Sequence, residues 1–257
     1  MYVIGDIHGQ LGKLTRLLRR AGLVGEDGRW AAGEAGLLFV GDFFDRGEDG
    51  IGVVDRVMRL QEEASDAGGR VHALLGNHEA LILAAHRFGT PPFLRAWKQN
   101  GGRDADLTRL HDRHLAWLLA LPAMERHGDG LYVHADAEFY RGYGGTSAEV
   151  NAGFREILAG DDPEAWYLLL DRFTQRHAFA APGNPAPAAR FLARYGGRQI
   201  VHGHTPIPLV TSRPAEAATA AYVYAAGLCV NVDGGMFLGG PGFVHETDDE
   251  PLPAPAP

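Results

Sequence analysis

Aspartate, asparagine and histidine recur along the chain just after short apolar runs, and these residue types bind metal ions. Carboxylate, imidazole and amide groups suit Mn²⁺, Fe or Zn²⁺ rather than soft, thiophilic metals. The six candidate ligands are Asp6, His8, Asp42, Asn77, His134 and His204. Six ligands exceed the needs of one tetrahedral ion and suit two ions about 3.5–4 Å apart, the spacing of hydrolytic two-metal sites. The Asp42 carboxylate could bridge both ions.

The pattern of strands and helices explains how these side chains could meet. Short apolar runs bounded by turn residues are typical of buried strands. They occupy residues 2–4, 37–40, 71–75, 131–133, 200–201 and 230–232. Helical periodicity predicts one helix over 11–21, with Gly22 as its stop, and a second from residue 51 to Gly68 and Gly69. This alternation predicts an α/β sheet with helices on its faces, in which ligands bind at the carboxyl ends of the strands.

Composition and charge exclude several classes of protein. The 257 residues include 24 Lys+Arg and 32 Asp+Glu, a net charge of −8, which disfavours a broad nucleic-acid-binding surface. No apolar run approaches the ~18–20 residues that span a bilayer. We expect no secretory signal, and the one cysteine, Cys229, cannot form an internal disulfide, so a cytoplasmic location is predicted. Nothing in the sequence specifies an oligomeric state.

The chain is predicted to form one domain over residues 1–245. Two stretches, about 90–127 and 140–195, interrupt the strand–helix alternation and are predicted to be helical or irregular insertions. Trp97, Trp117 and Trp166 lie in these stretches and are predicted to be packing anchors. Residues 246–257 are polar and proline-rich, which predicts a disordered tail.

Longer motifs surround the candidate ligands. They read Gly5-Asp6-Ile7-His8-Gly9, Gly41-Asp42-Phe43-Phe44-Asp45-Arg46-Gly47, Gly76-Asn77-His78-Glu79, Val133-His134-Ala135-Asp136 and Gly203-His204-Thr205-Pro206. In this order, the blocks resemble the phosphoprotein phosphatase branch of the calcineurin-like metallophosphoesterases. The resemblance extends from about residue 2 to residue 243. It implies a β-sandwich flanked by helices, with helical insertions, and a hydrolase that acts on phosphoric ester bonds.

The resemblance also implies a role for each motif residue. Two divalent ions, Mn²⁺ in the first instance with Fe or Zn²⁺ as alternatives, would activate a water molecule to attack phosphorus. His78 would protonate the leaving oxygen, oriented by Asp45, and Arg46 would clamp the phosphoryl oxygens. The metal ligands would be Asp6 and His8 for the first ion, Asp42 as the bridge, and Asn77, His134 and His204 for the second ion.

Two positions stay open at this point. The family uses a second phosphate-binding arginine on a helix before the last histidine block, and Arg172 is the nominated residue, with Arg176 and Arg103 as weaker candidates. His202 lies two residues before His204, so strand alternation could point both to one side. It could support the site from behind, or it could be a core histidine.

The sequence supports three functions in descending order. The first is a metal-dependent phosphatase for phosphate monoesters, similar to serine/threonine protein phosphatases, whose partner is a phosphorylated protein or a small phosphate ester. The second is a symmetrical dinucleoside polyphosphate hydrolase, similar to bis(5'-nucleosyl)-tetraphosphatases. The third, and most remote, is a non-catalytic phosphoprotein-binding module. The first two share the site and differ in what the insertions would hold.

Overall fold

The computed structural model describes residues 1–247, and its strands form two mixed sheets. The first sheet contains β1 (Tyr2–Ile4), β2 (Gly36–Phe39), β3 (Arg70–Ala73) and β9 (His245–Glu246). Its order is β3-β2-β1-β9, with the first three strands parallel and β9 antiparallel to β1. The carboxyl ends of β1, β2 and β3 therefore lie at one edge of this sheet.

The second sheet presents its parallel strands in the same way. It contains β4 (Met124–His127), β5 (Gly130–Val133), β6 (Gln199–His202), β7 (Tyr222–Tyr224) and β8 (Cys229–Asn231). Its order is β4-β5-β6-β8-β7; β5, β6 and β8 are parallel, and β4 and β7 are antiparallel edge strands.

An apolar layer joins the two sheets. Val3 and Leu38 of the first sheet belong to the same buried cluster as Tyr132, Val201 and Val230 of the second sheet. Because side chains alternate across a strand, the intervening residues face outward and pack under the helices. Each fully buried aliphatic side chain of this size contributes about 1.5–3 kcal/mol. The result is a β-sandwich with helices on its outer faces.

The helices follow the predicted alternation. The first three are α1 (Leu11–Arg20), α2 (Gly50–Asp66) and α3 (Asn77–Phe88). The chain leaves α1 at Gly22, whose φ of 70° suits glycine after a helix end. The first insertion contains α4 (Pro91–Gln99), α5 (Asp104–Thr108) and α6 (Asp112–Ala120), the second contains α7 (Ser147–Ala159), α8 (Pro163–Arg172) and α9 (Ala186–Tyr195), and α10 (Ile207–Thr211) comes later.

The predicted α/β class is confirmed, and several local details differ from the sequence interpretation. The last four residues of the first insertion form β4, an edge strand that the apolar pattern did not indicate. Trp97 and Trp166 are fully buried, while Trp117 is partly buried. Glu246 lies in β9, and the rest of the predicted tail from residue 248 onward lies outside the described residues. No helix within residues 1–247 is long and apolar enough to cross a membrane. The cytoplasmic location stays a prediction.

A buried glutamate holds two of the strand-end loops together. Glu79 accepts hydrogen bonds from the backbone N–H groups of Asp42 (2.7 Å), Phe43 (2.8 Å) and Gly76 (2.9 Å). Its side chain is fully buried, so no water replaces these contacts. The loop after β2 is thereby fixed against the beginning of α3.

We expect Glu79→Ala to lower the free energy of unfolding by about 3–5 kcal/mol, because it leaves three buried N–H donors unpaired at about 1–3 kcal/mol each. Urea unfolding of the metal-free protein, followed by tryptophan fluorescence, measures the change. Glu79→Gln keeps one acceptor oxygen and should lose less. Glu62→Ala, at an exposed position of α2, is the matched control and should stay within about 0.5 kcal/mol of the parent. A loss below about 1 kcal/mol for Glu79→Ala would contradict this role.

Candidate metal centre and active site

The ends of five strands bring the six predicted ligands to one place. Asp6 and His8 follow β1, and Asp42 follows β2. The remaining three are Asn77 at the start of α3, His134 directly after β5 and His204 after β6. Five of the six side chains are buried, and Asn77 is half-buried. Both sheets thus contribute to the same site.

Several site residues adopt the left-handed backbone region that usually favours glycine. The φ values are 47° for His8, 56° for Asp42, 70° for Asp45, 64° for Arg46 and 68° for His204. Such conformations cost about 1–3 kcal/mol each and persist only where surrounding contacts enforce them. Here the His8 N–H donates to the Asp42 carbonyl (2.9 Å). Such bonds between loops aim the side chains inward.

One ligand cluster, here called the Asn77 cluster, contains Asp42, Asn77, His134 and His204. Asn77 Oδ1 lies 3.0 Å from His134 Nε2 and 2.9 Å from His204 Nδ1. His134 Nε2 is 3.3 Å from Asp42 Oδ1. His134 Nδ1 is held by the carbonyl of Val40 at 2.9 Å, which turns Nε2 toward the cluster. Oxygen and nitrogen lone pairs therefore converge on one point, as a metal ion requires.

The electrostatics of this cluster favour a positive charge at its centre. Burial alone would lower the pKa of His134, yet the Asp42 carboxylate raises it above its ordinary value. Burial likewise would raise the pKa of Asp42, but His134 and His78 hold it well below the usual range. A proton or a metal ion at this point would balance the negative charge of the Asp42 carboxylate. The donor set therefore fits a divalent metal.

The other cluster, here called the Asp6 cluster, shares Asp42 with the Asn77 cluster. His8 donates its Nδ1–H to the Phe44 carbonyl (2.9 Å) and directs Nε2 to within 3.5 Å of Asp42 Oδ2 and 3.9 Å of Asp6 Oδ2. Burial, together with the charges of Asp233 and Asp42, raises the pKa of Asp6 well above its ordinary value. A divalent cation would relieve this repulsion. The two oxygens of Asp42 thus face different clusters, which is the geometry of a bridging ligand.

His78 lies beside the Asp6 cluster within a chain of hydrogen bonds. Its Nδ1 is 2.6 Å from Asp45 Oδ2, and Trp97 donates its indole N–H to Asp45 Oδ1 at 2.8 Å. Burial lowers the pKa of His78 to about 4 and raises that of Asp45 to about 8. The short contact between Nδ1 and Oδ2 fixes the orientation of the imidazole against the carboxylate. Trp97 fixes the carboxylate that fixes the imidazole.

The Arg46 guanidinium lies between two histidines of the site. Its NH1 is 2.8 Å from His8 Nε2, and its NH2 is 3.0 Å from His78 Nε2. The Phe237 ring packs under it, with the guanidinium carbon 4.2 Å from the ring centroid. Two contacts distinguish His78 from His8: the His78 Nε2 lies farther from Asp42 Oδ2 (3.9 Å against 3.5 Å), and its Nδ1 is held by a carboxylate, Asp45, rather than by a backbone carbonyl.

The three arginine candidates lie in different surroundings. Arg172 ends α8 with its guanidinium carbon 5.3 Å from the Tyr143 ring centroid. Arg176 is exposed, and its charge contributes, after burial, to lowering the pKa values of His78 and His204. Arg103 is exposed at the beginning of α5.

His202 does not join the ligands. Its Nδ1 contacts the Gly203 carbonyl (3.0 Å), and its Nε2 contacts the Tyr224 hydroxyl (2.9 Å), which also donates to Asp136 Oδ2 (2.9 Å). Burial lowers the pKa of His202. Tyr224 and Asp136 of this network line a cavity of about 520 Å³, which also reaches Thr205, the residue after His204. The cavity wall includes Asp136, His177, Thr205, Tyr222, Tyr224 and Asn231.

Two contributors to the site had no recognisable function in the sequence. Trp97 was predicted to be a packing anchor, and the structure adds its hydrogen bond to Asp45 across 52 positions of chain. Glu79 belongs to a quoted motif block, but nothing in its spacing indicated that it would cap the loop of Asp42. Both act through contacts between distant segments, which local patterns do not encode.

With this geometry in place, comparison with known proteins identifies the family. The family model described as "Calcineurin-like phosphoesterase" matches residues 1–208. The chain therefore belongs to the calcineurin-like phosphoesterases, and the resemblance inferred from the motif blocks is confirmed. The family uses a binuclear metal centre, and the histidine and aspartate groups of this chain fit metal binding.

Two curated relatives and one solved structure illustrate the range within this family. The chain is 31% identical to Shewanella-like protein phosphatase 1 of Plasmodium berghei over 134 residues, which are 51% of this chain and 37% of the relative. It is 31% identical to the symmetrical bis(5'-nucleosyl)-tetraphosphatase of Acidovorax sp. over 181 residues, 65% of this chain and 58% of the relative. A cold-active protein tyrosine phosphatase has the same fold, with a TM-score of 0.75 at 24% identity over 95% of this chain and 72% of that one. The chain thus matches less than two thirds of either curated relative.

The two clusters predict different effects for two matched substitutions. His134→Asn removes a nitrogen at the centre of one cluster, so the protein should retain about one Mn²⁺ fewer per chain after dialysis. His78→Asn should leave the metal content unchanged, because Asp45 orients that ring and its Nε2 lies farther from Asp42 than the Nε2 of His8 does. Elemental analysis of both variants checks this, with His86→Asn at an exposed position of α3 as the control. Equal metal loss from both variants would mean that His78 is a ligand.

Proposed function

We propose that this chain is a two-metal phosphatase that hydrolyses phosphate monoesters and resembles serine/threonine protein phosphatases. The observation that carries the proposal is the position of Asp42, whose two carboxylate oxygens face two ligand clusters while His78 and Arg46 border the same space. Hydrolytic two-metal sites have this arrangement. The family to which the chain belongs supports the same reaction class.

The metal ions would be held by the residues of the two clusters. Asp6, His8 and Asp42 would hold one ion, and Asn77, His134 and His204, with Asp42 as the bridge, would hold the other. We favour Mn²⁺, with Fe or Zn²⁺ as alternatives, because carboxylate, amide and imidazole ligands suit all three. When bound, the ions supply Lewis-acid stabilisation of phosphoryl oxygens and a water of lowered pKa.

His78 would act as the general acid. Its Nε2 faces the site, where it accepts from Arg46; once Arg46 turns to the phosphoryl oxygens and the ring is protonated, the Nε2–H can pass to the oxygen that leaves phosphorus as the ester bond breaks. Asp45 accepts the Nδ1–H and holds the ring in this orientation. Trp97 is a positioning residue, since it touches Asp45 and not the site itself. Protonation of the leaving alkoxide is the step that this chain's own residues contribute most directly.

Two arginines would bind the phosphoryl group. Arg46 borders both His8 and His78, so its planar donors can reach oxygens placed between them. For the second role we keep Arg172, the residue nominated from the motif pattern, with Arg176 as the alternative, since the charge of Arg176 contributes after burial to lowering the pKa values of His78 and His204. Two guanidinium groups match the charge of one phosphate monoester.

The lining of the adjoining cavity favours a substrate with a single phosphate. Among the described residues that line it, Asp136 is acidic and none is lysine or arginine. A polyphosphate chain in this cavity would meet a carboxylate without a compensating cation. A phosphorylated side chain would place its phosphate at the metal site and its peptide toward the cavity. The relative from Plasmodium berghei, named a protein phosphatase, agrees with this substrate class.

A second candidate is symmetrical hydrolysis of dinucleoside polyphosphates. The Acidovorax relative bears the name of that activity and matches a longer part of the chain. Tyr222 and Tyr224 at the cavity lie 5.7 Å apart with nearly parallel rings (15°), a surface on which a nucleobase could stack. The non-catalytic binding module is disfavoured, because degenerate sites lose a ligand or the acid, and all of these groups are present.

Comparing substrates on one preparation tests the proposal. Metal-stripped protein should be inactive on p-nitrophenyl phosphate and should recover with Mn²⁺. On the reconstituted protein, we expect kcat/KM for a phosphoserine peptide to exceed that for diadenosine tetraphosphate at least about tenfold, a difference of about 1.4 kcal/mol in transition-state binding. The reverse order would favour the nucleotide hydrolase. No turnover of any phosphate ester after reconstitution would exclude both enzymes.

The role of His78 predicts a dependence on the leaving group. His78→Asn should lower kcat for a phosphoserine peptide by about 10²–10⁴-fold, the usual range for loss of a general acid. The decrease should be smaller for p-nitrophenyl phosphate, because p-nitrophenolate leaves with little need of a proton. Steady-state rates on both substrates at saturating Mn²⁺ measure this, with His86→Asn as the control. Equal decreases on the two substrates would contradict the assignment.

A further inference from the structure

A second group of metal-ligand residues lies at the open edge of the β-sandwich, away from the site described above. β3 is the terminal strand of the first sheet, and β4 is the terminal strand of the second. Where these edges approach each other, the Leu75 N–H donates to the Pro122 carbonyl (2.9 Å). Three side chains face each other across the same gap; they are His72, Glu125 and His127, here called the edge cluster.

The ligand atoms of the edge cluster already converge. His72 Nδ1 lies 3.1 Å from Glu125 Oε2, and His127 Nε2 lies 2.8 Å from the same oxygen. The two imidazole centroids are 4.2 Å apart, and all three ligand atoms lie within 4.8 Å of one another. The side chains of His72 and Glu125 are each 23% exposed, and that of His127 is 24% exposed. The cluster is therefore held in place and still reachable from solvent.

Strand geometry accounts for this convergence. Glu125 and His127 are two residues apart on β4, so both side chains point to the same face. Glu125 pairs with Tyr132, which belongs to the apolar layer between the sheets. His72 shares its face with Leu74, another residue of that layer. All three side chains thus point from opposite sheets into the same inter-sheet space, at the edge where the apolar layer ends.

We propose that the edge cluster binds one Zn²⁺-like divalent cation that bridges the two sheets, independently of the phosphatase centre. Two imidazoles and one carboxylate form an established zinc ligand set, with water as the fourth ligand. Zinc–ligand distances of about 2.0–2.2 Å place the donors of a tetrahedral site about 3.3–3.5 Å apart, so the observed separations need to open only slightly. Two imidazole ligands disfavour Mg²⁺ and Ca²⁺.

A cation here would join the edge strands of the two sheets, β3 and β4. β3 leads through Leu75 and Gly76 into Asn77, a ligand of the candidate centre. Fixing β3 against β4 would therefore restrain the segment from which Asn77 and His78 project. The expected role is structural: the cation stabilises the folded sandwich and supplies no group to the reaction.

Zinc stoichiometry tests the proposal without reference to activity. Wild type, His127→Gln and Glu125→Gln are dialysed against the same micromolar Zn²⁺, and bound zinc is measured by elemental analysis. We expect each edge-cluster variant to retain about one zinc fewer than the wild type. The controls His86→Gln and Glu62→Gln, at exposed positions of α3 and α2, should retain the wild-type number. Equal zinc in wild type and folded variants would overturn the proposal.

A second measurement uses the wild type alone, so it holds even if a variant fails to fold. In metal-free protein labelled at its histidine ring nitrogens, the Nδ1 signal of His72 and the Nε2 signal of His127 should shift when Zn²⁺ is added. Signals that do not move would show a histidine–carboxylate hydrogen-bond cluster only. If the protein hydrolyses phosphate esters but the wild type and the edge-cluster variants bind equal zinc, the edge site alone is overturned. If the wild type binds one zinc more than the variants but hydrolyses no phosphate ester, the phosphatase proposal fails and the edge site stands.

Discussion

The position of Asp42 is the constraint on which the rest of the site depends. Its carbonyl accepts the N–H groups of Ile7 (3.1 Å) and His8 (2.9 Å), which fixes the loop after β1. Its own N–H is bound by Glu79, and its Oδ1 accepts the N–H of His78 (3.1 Å). One residue therefore ties three strand-end loops together by its backbone while its carboxylate faces both ligand clusters. The proposed metal bridge and a structural junction thus coincide in a single residue.

Such a junction is energetically unfavourable in the absence of cations. Asp6, Asp42 and Asp233 are buried close together, and burial together with neighbouring carboxylates raises the pKa values of Asp6 and Asp233. The left-handed backbone of His8 and His204 adds strain. Divalent cations would offset the repulsion among the carboxylates, so the folded loops and the bound ions stabilise each other. Strain and buried like charge at one place are what a preorganised metal site requires.

Sequence patterns predicted six of the strands and the convergence of the candidate ligands because both follow local rules. Short apolar runs ended in polar residues, and the carboxyl ends of parallel strands must meet at one edge, so the convergence of Asp6, Asp42 and Asn77 followed. The strand β4 escaped because its residues alternate charge and histidine rather than apolar side chains. The hydrogen bond of Trp97 to Asp45 was not predicted because it depends on how the first insertion folds back onto the loop after β2. Local periodicity carries no information on that packing.

The division between strand ends and insertions also explains how relatives with different names share one centre. The strand-end loops supply every proposed metal ligand, and their geometry is fixed by the sandwich. Arg176, His177 and much of the cavity wall come instead from the segment between α8 and α9 and from the region around β7. Changing these segments alters what can lie beside the phosphate without moving Asp42 or His134. Substrate choice can therefore diverge while the hydrolytic chemistry stays the same, because the two are built from separate parts of the chain.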